Sequence, residues 1–137
     1  METNGLNMLV TEAIWRAEEL EALGIRSELA WKEVSSLEEK LAKLHAASEP
    51  EGQIARRGAV SAALEASDYA RAQALADGYL AEDAAPQSLK SALLEILEDN
   101  AQAVAIRFQH ASKQHGLREA QGLADRLRAA GPFGMAA

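Results

Sequence analysis

Residues 27–44 read SELAWKEVSSLEEKLAKL, and the spacing of their apolar members decides the fold class. Ala30, Val34, Leu37, Leu41 and Leu44 step by four and three, so on a helix of 3.6 residues per turn they form one continuous seam. Glu38, Glu39, Lys40 and Lys43 fill the positions between, as in a coiled-coil-like helix that packs along one stripe and offers its charges to water. A strand would need apolar residues at every second position, and this stretch lacks that alternation.

The same stepping continues upstream. Leu6, Val10, Ala13, Ala17 and Leu20 define a first helix, predicted to begin at Thr3 or Asn4, either of which can cap free backbone N–H groups, and to stop at Gly24. Two helices joined by so short a turn satisfy both seams as an antiparallel αα-hairpin. Met8, Trp15 and Ala22 recur every seven residues on the opposite side, a second ridge that is either covered by the rest of the fold or left for a partner.

Downstream, Ser48 and Glu51 have capping-box spacing around Pro50 and open a third helix to about Ala66. Its small residues Ala55, Gly58, Ala59, Ala62 and Ala63 permit close approach by a neighbour. Ser67-Asp68 recaps the chain into a fourth helix with Tyr69, Ala72, Leu75, Ala76, Tyr79 and Leu80 on its apolar side, ended by Pro86. A fifth, from about Gln87 to Gln114, would be roughly 40 Å long. Leu89, Leu93, Ile96, Leu97, Val104, Phe108 and Ala111 form its stripe, and Leu94, Ala101 and Ala105 widen it, which points to a central helix. Gly116 separates a sixth, with Leu117, Ala120, Leu123, Ala124 and Leu127, before Gly131-Pro132.

Composition agrees. Of 137 residues nearly half are apolar, yet only six are aromatic, which suits close-packed helices and starves a sheet of its preferred residues. The expectation is an all-α single domain over 1–132, about six helices in three αα-hairpins, with a flexible tail at 133–137. Without cysteine there is no disulfide framework, thiolate zinc site or nucleophilic thiol. The start of the chain lacks the pattern of a signal peptide and no apolar run is long enough to span a bilayer, so a cytoplasmic protein without membrane association is expected. The net charge of −7 is uneven, with −4 in residues 1–24 and +1 in residues 87–137. No segment has the clustered Lys and Arg that nucleic-acid binding uses.

Residues 72–77 (AQALAD) echo residues 120–125 (AQGLAD) at a separation of 48, each in the second helix of a pair and each followed by a proline, Pro86 or Pro132. An Ala-rich helical chain can produce such an echo by composition as well as by duplication. The stretch Ala59 to Pro86 resembles one tetratricopeptide-type repeat through Ala62 and Ala63, the Ser67-Asp68-Tyr69 turn, Ala72 and the closing Pro86. It departs from that family in spacing, 48 rather than 34 residues, and in lacking the early Trp and the Leu-Gly pair. The resemblance covers about a quarter of the chain and implies a stack of helical hairpins with a concave surface for peptides or partner helices. Small acidic proteins of this look also occur among bacterial secretion chaperones.

Catalytic chemistry finds little footing. His110 and His115 are five apart and share no helix face as a metal pair would, so no metal site, cofactor or small-molecule substrate is expected. His110 with Lys113 resembles the His-x-x-Lys of histidine phosphotransfer domains, but Gln114 stands where that family has Gly. Glu38-Glu39 and Glu98-Asp99 read as solvated surface, since neighbours on a helix diverge by about 100°. Asn100 and Arg107, seven apart among the apolar residues of the fifth helix, are either an internal polar contact that fixes register or the lining of a groove. Trp15 and Trp31 suit core-edge packing, with Trp15 the better interface anchor.

The expected function is non-enzymatic protein binding, as an adaptor or small chaperone that buries a partner's apolar helix or forms a homodimer. Met8, Trp15, Trp31, Asn100 and Arg107 are the candidate binding residues. The alternatives are a phosphotransfer signalling module using His110 and a structural subunit of a larger assembly.

Overall fold

The computed structural model describes residues 2–101, and they are helical with no strand among them. Four helices lie wholly within this range: α1 (Glu2–Ala22), α2 (Glu28–Leu44), α3 (Pro50–Glu65) and α4 (Tyr69–Leu80). A fifth, α5, starts at 87 and is helical to 101, the last described residue. The described residues 2–100 belong to one compact unit. The expected continuation of the fifth helix to Gln114, the expected sixth helix, Arg107, His110, Lys113, the second copy of the echo and the expected tail all lie outside them.

The helix ends follow local chemistry. Gly24, at φ 70°, closes α1: its N–H donates to Glu21 O and that of Ile25 to Leu20 O, the paired bonds of a Schellman stop. Ser67, at φ 59°, closes α3 through the same two bonds, to Leu64 O and Ala63 O. Asp68 then caps α4 as expected, its carboxylate accepting from Arg71 N at 3.2 Å. Two expected starts differ. The first helix begins at Glu2 rather than at a Thr3 or Asn4 cap. The Ser48/Glu51 capping box does not form, because Glu49 occupies the cap position of α3 with Pro50 at its first turn, and Ser48 O instead accepts from Gln53 Nε2.

Packing is successive: α1 lies on α2, α2 most extensively on α3, and α3 on α4. The α1/α2 pairing is the expected hairpin, but α2 and α3 form a more extensive contact, so the described helices stack continuously rather than as isolated pairs. Alanine makes this possible. Eleven of the seventeen buried apolar residues among those described are Ala, which lets helix backbones approach while each contact buries little area. Val10, Leu41, Leu89 and Leu93 fall where the seams predict: the first two lie in the cluster between α1 and α2, and the last two, with Val60 of α3, which the small-residue pattern did not single out, anchor the cluster that joins α3, α4 and α5. On α5, Leu94 and Ala101 are exposed, so the described part of this helix buries one stripe rather than a broad face.

Two polar clasps hold the stack in register. Arg56 of α3 is buried and pairs as a fork with Glu82 at 2.8 and 3.0 Å, donates to His45 O and Gly52 O, and lies 5.5 Å from the Tyr79 ring centre. One guanidinium thereby ties the ends of α2 and α4 to α3 and satisfies carbonyls that burial would otherwise leave costly. Gly52 has to be glycine, since a methyl there would collide with the Ala46 carbonyl and the Arg56 guanidinium. In the second clasp, buried Ser35 donates to Ala59 O at 2.7 Å and accepts from Arg71 Nε at 3.0 Å, while Arg71 also pairs with Glu39 at 2.7 Å. This joins α2, α3 and α4.

Candidate functional site

The chemistry left over after packing concentrates on α1, α2 and the facing side of α3. A cleft of about 350 Å³ opens there, with Glu18 and Glu21 on α1, Trp31 and Glu38 on α2, and Glu65 on α3 around an apolar floor of Ile14, Val34 and Ala62. Gly58 and Ser61 complete the α3 wall. Four lining residues are acidic and none is basic among the described residues, so the cleft is a region of concentrated negative potential.

Glu38 is the unusual member. Expected as solvated surface, it is only 7% exposed. The physical reason lies on α3: Gly58 has no side chain, and the Glu38 carboxylate occupies the space where a Cβ would stand. No hydrogen bond or ion pair reaches it from the described residues. Burial therefore pushes its carboxyl up to about 7, far above the ordinary carboxylate range. Its neighbour Glu39 is not free surface either, being paired with Arg71.

Trp31 and Glu65 are tied to the same rim by Glu21. The Trp31 indole Nε1 donates to Glu21 Oε1 at 2.6 Å, and the ring packs against Ala13, Ala17, Val34 and Ala62. Trp31 thus sits at the core edge, as the sequence suggested. Burial chiefly, and then the charge of Glu21 and a hydrogen bond shared with it, raise the Glu65 carboxyl above its ordinary value.

The ridge is a separate feature of α1. Met8 and Trp15 are 65% and 66% exposed, so the second stripe of α1 is left uncovered by the described residues. With Asn7, Thr11 and Glu12 they outline a shallow depression of about 280 Å³. Leu9, Leu23, Ile25 and Leu29 add exposed apolar surface along α1 and the turn into α2. Glu18 stands three residues on from Trp15, one turn along the helix, so ridge and cleft adjoin.

The remaining candidates fall elsewhere. Asn100 is half-buried and its side-chain N–H donates to Ile96 O at 2.8 Å, a bond within its own helix. Arg107 lies outside the described residues. At the α2–α3 turn His45, Glu49 and Glu51 bring ligand atoms within 4.8 Å of one another, the one such group among the described residues. The two carboxylates are exposed, and His45 Nδ1 stands 3.4 Å from Glu49, an ordinary contact one turn apart.

Glu38, Arg56 and Ser35 did not stand out in the sequence. A signal was present for two of them. Glu38 falls four after Val34 and three before Leu41, inside the seam, and Arg56 falls four after Gly52 and three before Ala59 on the small-residue face of α3. No helix of the described residues is long and apolar enough to cross a membrane. No family model matches the chain, and no curated protein or solved structure matches it either.

Proposed function

We propose that the chain is a non-enzymatic protein-binding module, an adaptor or small chaperone, that holds one basic amphipathic helix of a partner against α1. The observation that carries this is the exposed Met8–Trp15 ridge beside concentrated carboxylates. An exposed indole in a shallow apolar depression is the type of group that dominates interface energetics once a partner covers it. Charge selects the partner. Residues 1–24 carry −4, so a second copy of α1 laid on the first would be repelled, whereas a helix with Lys or Arg flanking its apolar stripe would be attracted. The proposal takes with it a cytoplasmic setting, the six-helix, three-hairpin bundle and the tetratricopeptide-like reading of residues 59–86. For the last, the small residues Ala63, Ala72 and Ala76 in the cluster joining α3 and α4 are support.

The test uses two model helices with the same leucine stripe, one flanked by lysine and one by glutamate. Trp15 emission should shift blue and saturate with the lysine helix alone, and Trp15→Ala should weaken binding at least tenfold while helical content is unchanged. Equal response to both helices, no response to either, or sedimentation as a dimer through this face would contradict the reading.

A further inference from the structure

We infer that the cleft between α1, α2 and α3 is a binding site for an organic cation, a guanidinium or alkylammonium group seated beside Trp31 among Glu21, Glu38 and Glu65. The carboxylates alone would not make a site, since exposed acidic groups are common on helical surfaces. What distinguishes this cleft is Glu38. Glu38 is a buried residue that lines this cavity, and no hydrogen bond from the described residues reaches its carboxylate, so it is costly to ionise, and a cation beside it removes that cost. Gly58 creates the space for the carboxylate, and any other residue there would fill it.

The cation is organic rather than a metal ion for three reasons. The cavity of about 350 Å³ is far larger than a coordination sphere, and its floor of Ile14, Val34 and Ala62 suits the hydrocarbon stem of a Lys, Arg or polyamine chain. No three carboxylates of the cleft bring ligand atoms within 4.8 Å, so they surround a volume instead of converging on a point. Trp31, held in place by its bond to Glu21, supplies an aromatic wall, which attracts a weakly hydrated cation through its ring quadrupole. The Glu38 carboxyl, raised by burial, is consistent: Glu18 and Glu21 of α1 and Glu65 of α3 line the same cleft, and a cation that enters displaces the Glu38 proton.

This inference does not rest on the ridge, although a partner helix lying along α1 could deliver the cation. The same group could arrive on a peptide or as a free polyamine. Three probes distinguish these: N-acetylarginine amide, its neutral isostere N-acetylcitrulline amide, and spermidine. In NMR titrations of the full chain, the arginine derivative should move the Trp31 Nε1–H and Glu38 side-chain signals saturably, and the citrulline derivative should not. Affinity should be higher at pH 8 than at pH 6, and Glu38→Gln or, at the more exposed rim, Glu65→Gln should weaken it at least threefold. Tighter binding of spermidine than of the arginine derivative would assign a free polyamine; the reverse would assign a peptide side chain. The inference is overturned if citrulline and arginine derivatives act alike, if neither moves these signals, or if magnesium or calcium alone saturates the cleft more tightly. Trp15→Ala leaves cleft binding intact, so failure here and failure at the ridge are separable.

Discussion

Gly58 of α3 lies beneath the Glu38 carboxylate of α2, so closely that a methyl group on residue 58 would coincide with the Glu38 oxygen. The contact is with the end of a flexible side chain and not with backbone, which decides what substitution does. Gly58→Ala should expel Glu38 toward solvent, gain helix propensity of about 1 kcal/mol and change stability by less than about 1 kcal/mol overall, while abolishing cleft binding. Gly52→Ala is the contrast. There the added methyl meets the Ala46 carbonyl, which cannot swing away, and a loss of about 2 kcal/mol or more is expected. Urea denaturation of the two variants checks both.

Glu38 also gives stability a pH dependence. The folded chain keeps its proton up to about pH 7, while the unfolded chain releases it near 4.5. Unfolding therefore releases a proton between those values. The Glu38 contribution is fully present below pH 4.5 and is lost as pH rises through 7. Glu38→Gln should flatten this limb of the stability profile and make the chain more stable than wild type at pH 8. Chemical denaturation from pH 4 to 8 shows whether it does.

Arg56 and Arg16 both form ion pairs, with opposite expectations. Arg56→Ala leaves Glu82 and His45 O without their donor and should cost about 3 kcal/mol, while Arg56→Lys keeps the charge but loses the fork and should recover only part. Arg16 pairs with Glu33 at 3.0 Å in solvent, and Arg16→Ala should change stability by less than about 0.5 kcal/mol. Denaturation midpoints separate the two.

Gly24 closes α1 with positive φ and open space around its Cα. Gly24→Ala meets no clash, so its cost is conformational alone, about 1 kcal/mol. A calorimetric scan should show a correspondingly small fall in Tm; a loss several times larger would place a packing role at this turn.

The helices were legible because their signals are periodic. The seams of α1 and α2, the Gly24 stop and the Asp68 cap could all be read from spacing and residue type. The cleft was not legible for a reason of geometry: a charged residue inside an apolar seam looks the same whether it points to water or into a gap, and the gap comes from Gly58, twenty residues away on another helix. Arg56 was hidden likewise, since its partners His45 and Glu82 come together only in three dimensions. At the starts of α1 and α3 several residues could serve as cap, so spacing alone did not choose among them. The spacing of seven makes Met8 and Trp15 a ridge, but spacing does not say whether other helices cover it, and the described residues leave it exposed.

The most direct measurement is the titration of the Glu38 side-chain carbonyl carbon by NMR in the folded chain. A midpoint near 7 that shifts downward when N-acetylarginine amide is added is expected of a buried carboxylate that a cation relieves. A midpoint near 4.5, unmoved by the ligand, would mean that Glu38 lives in water and that the cleft is ordinary surface.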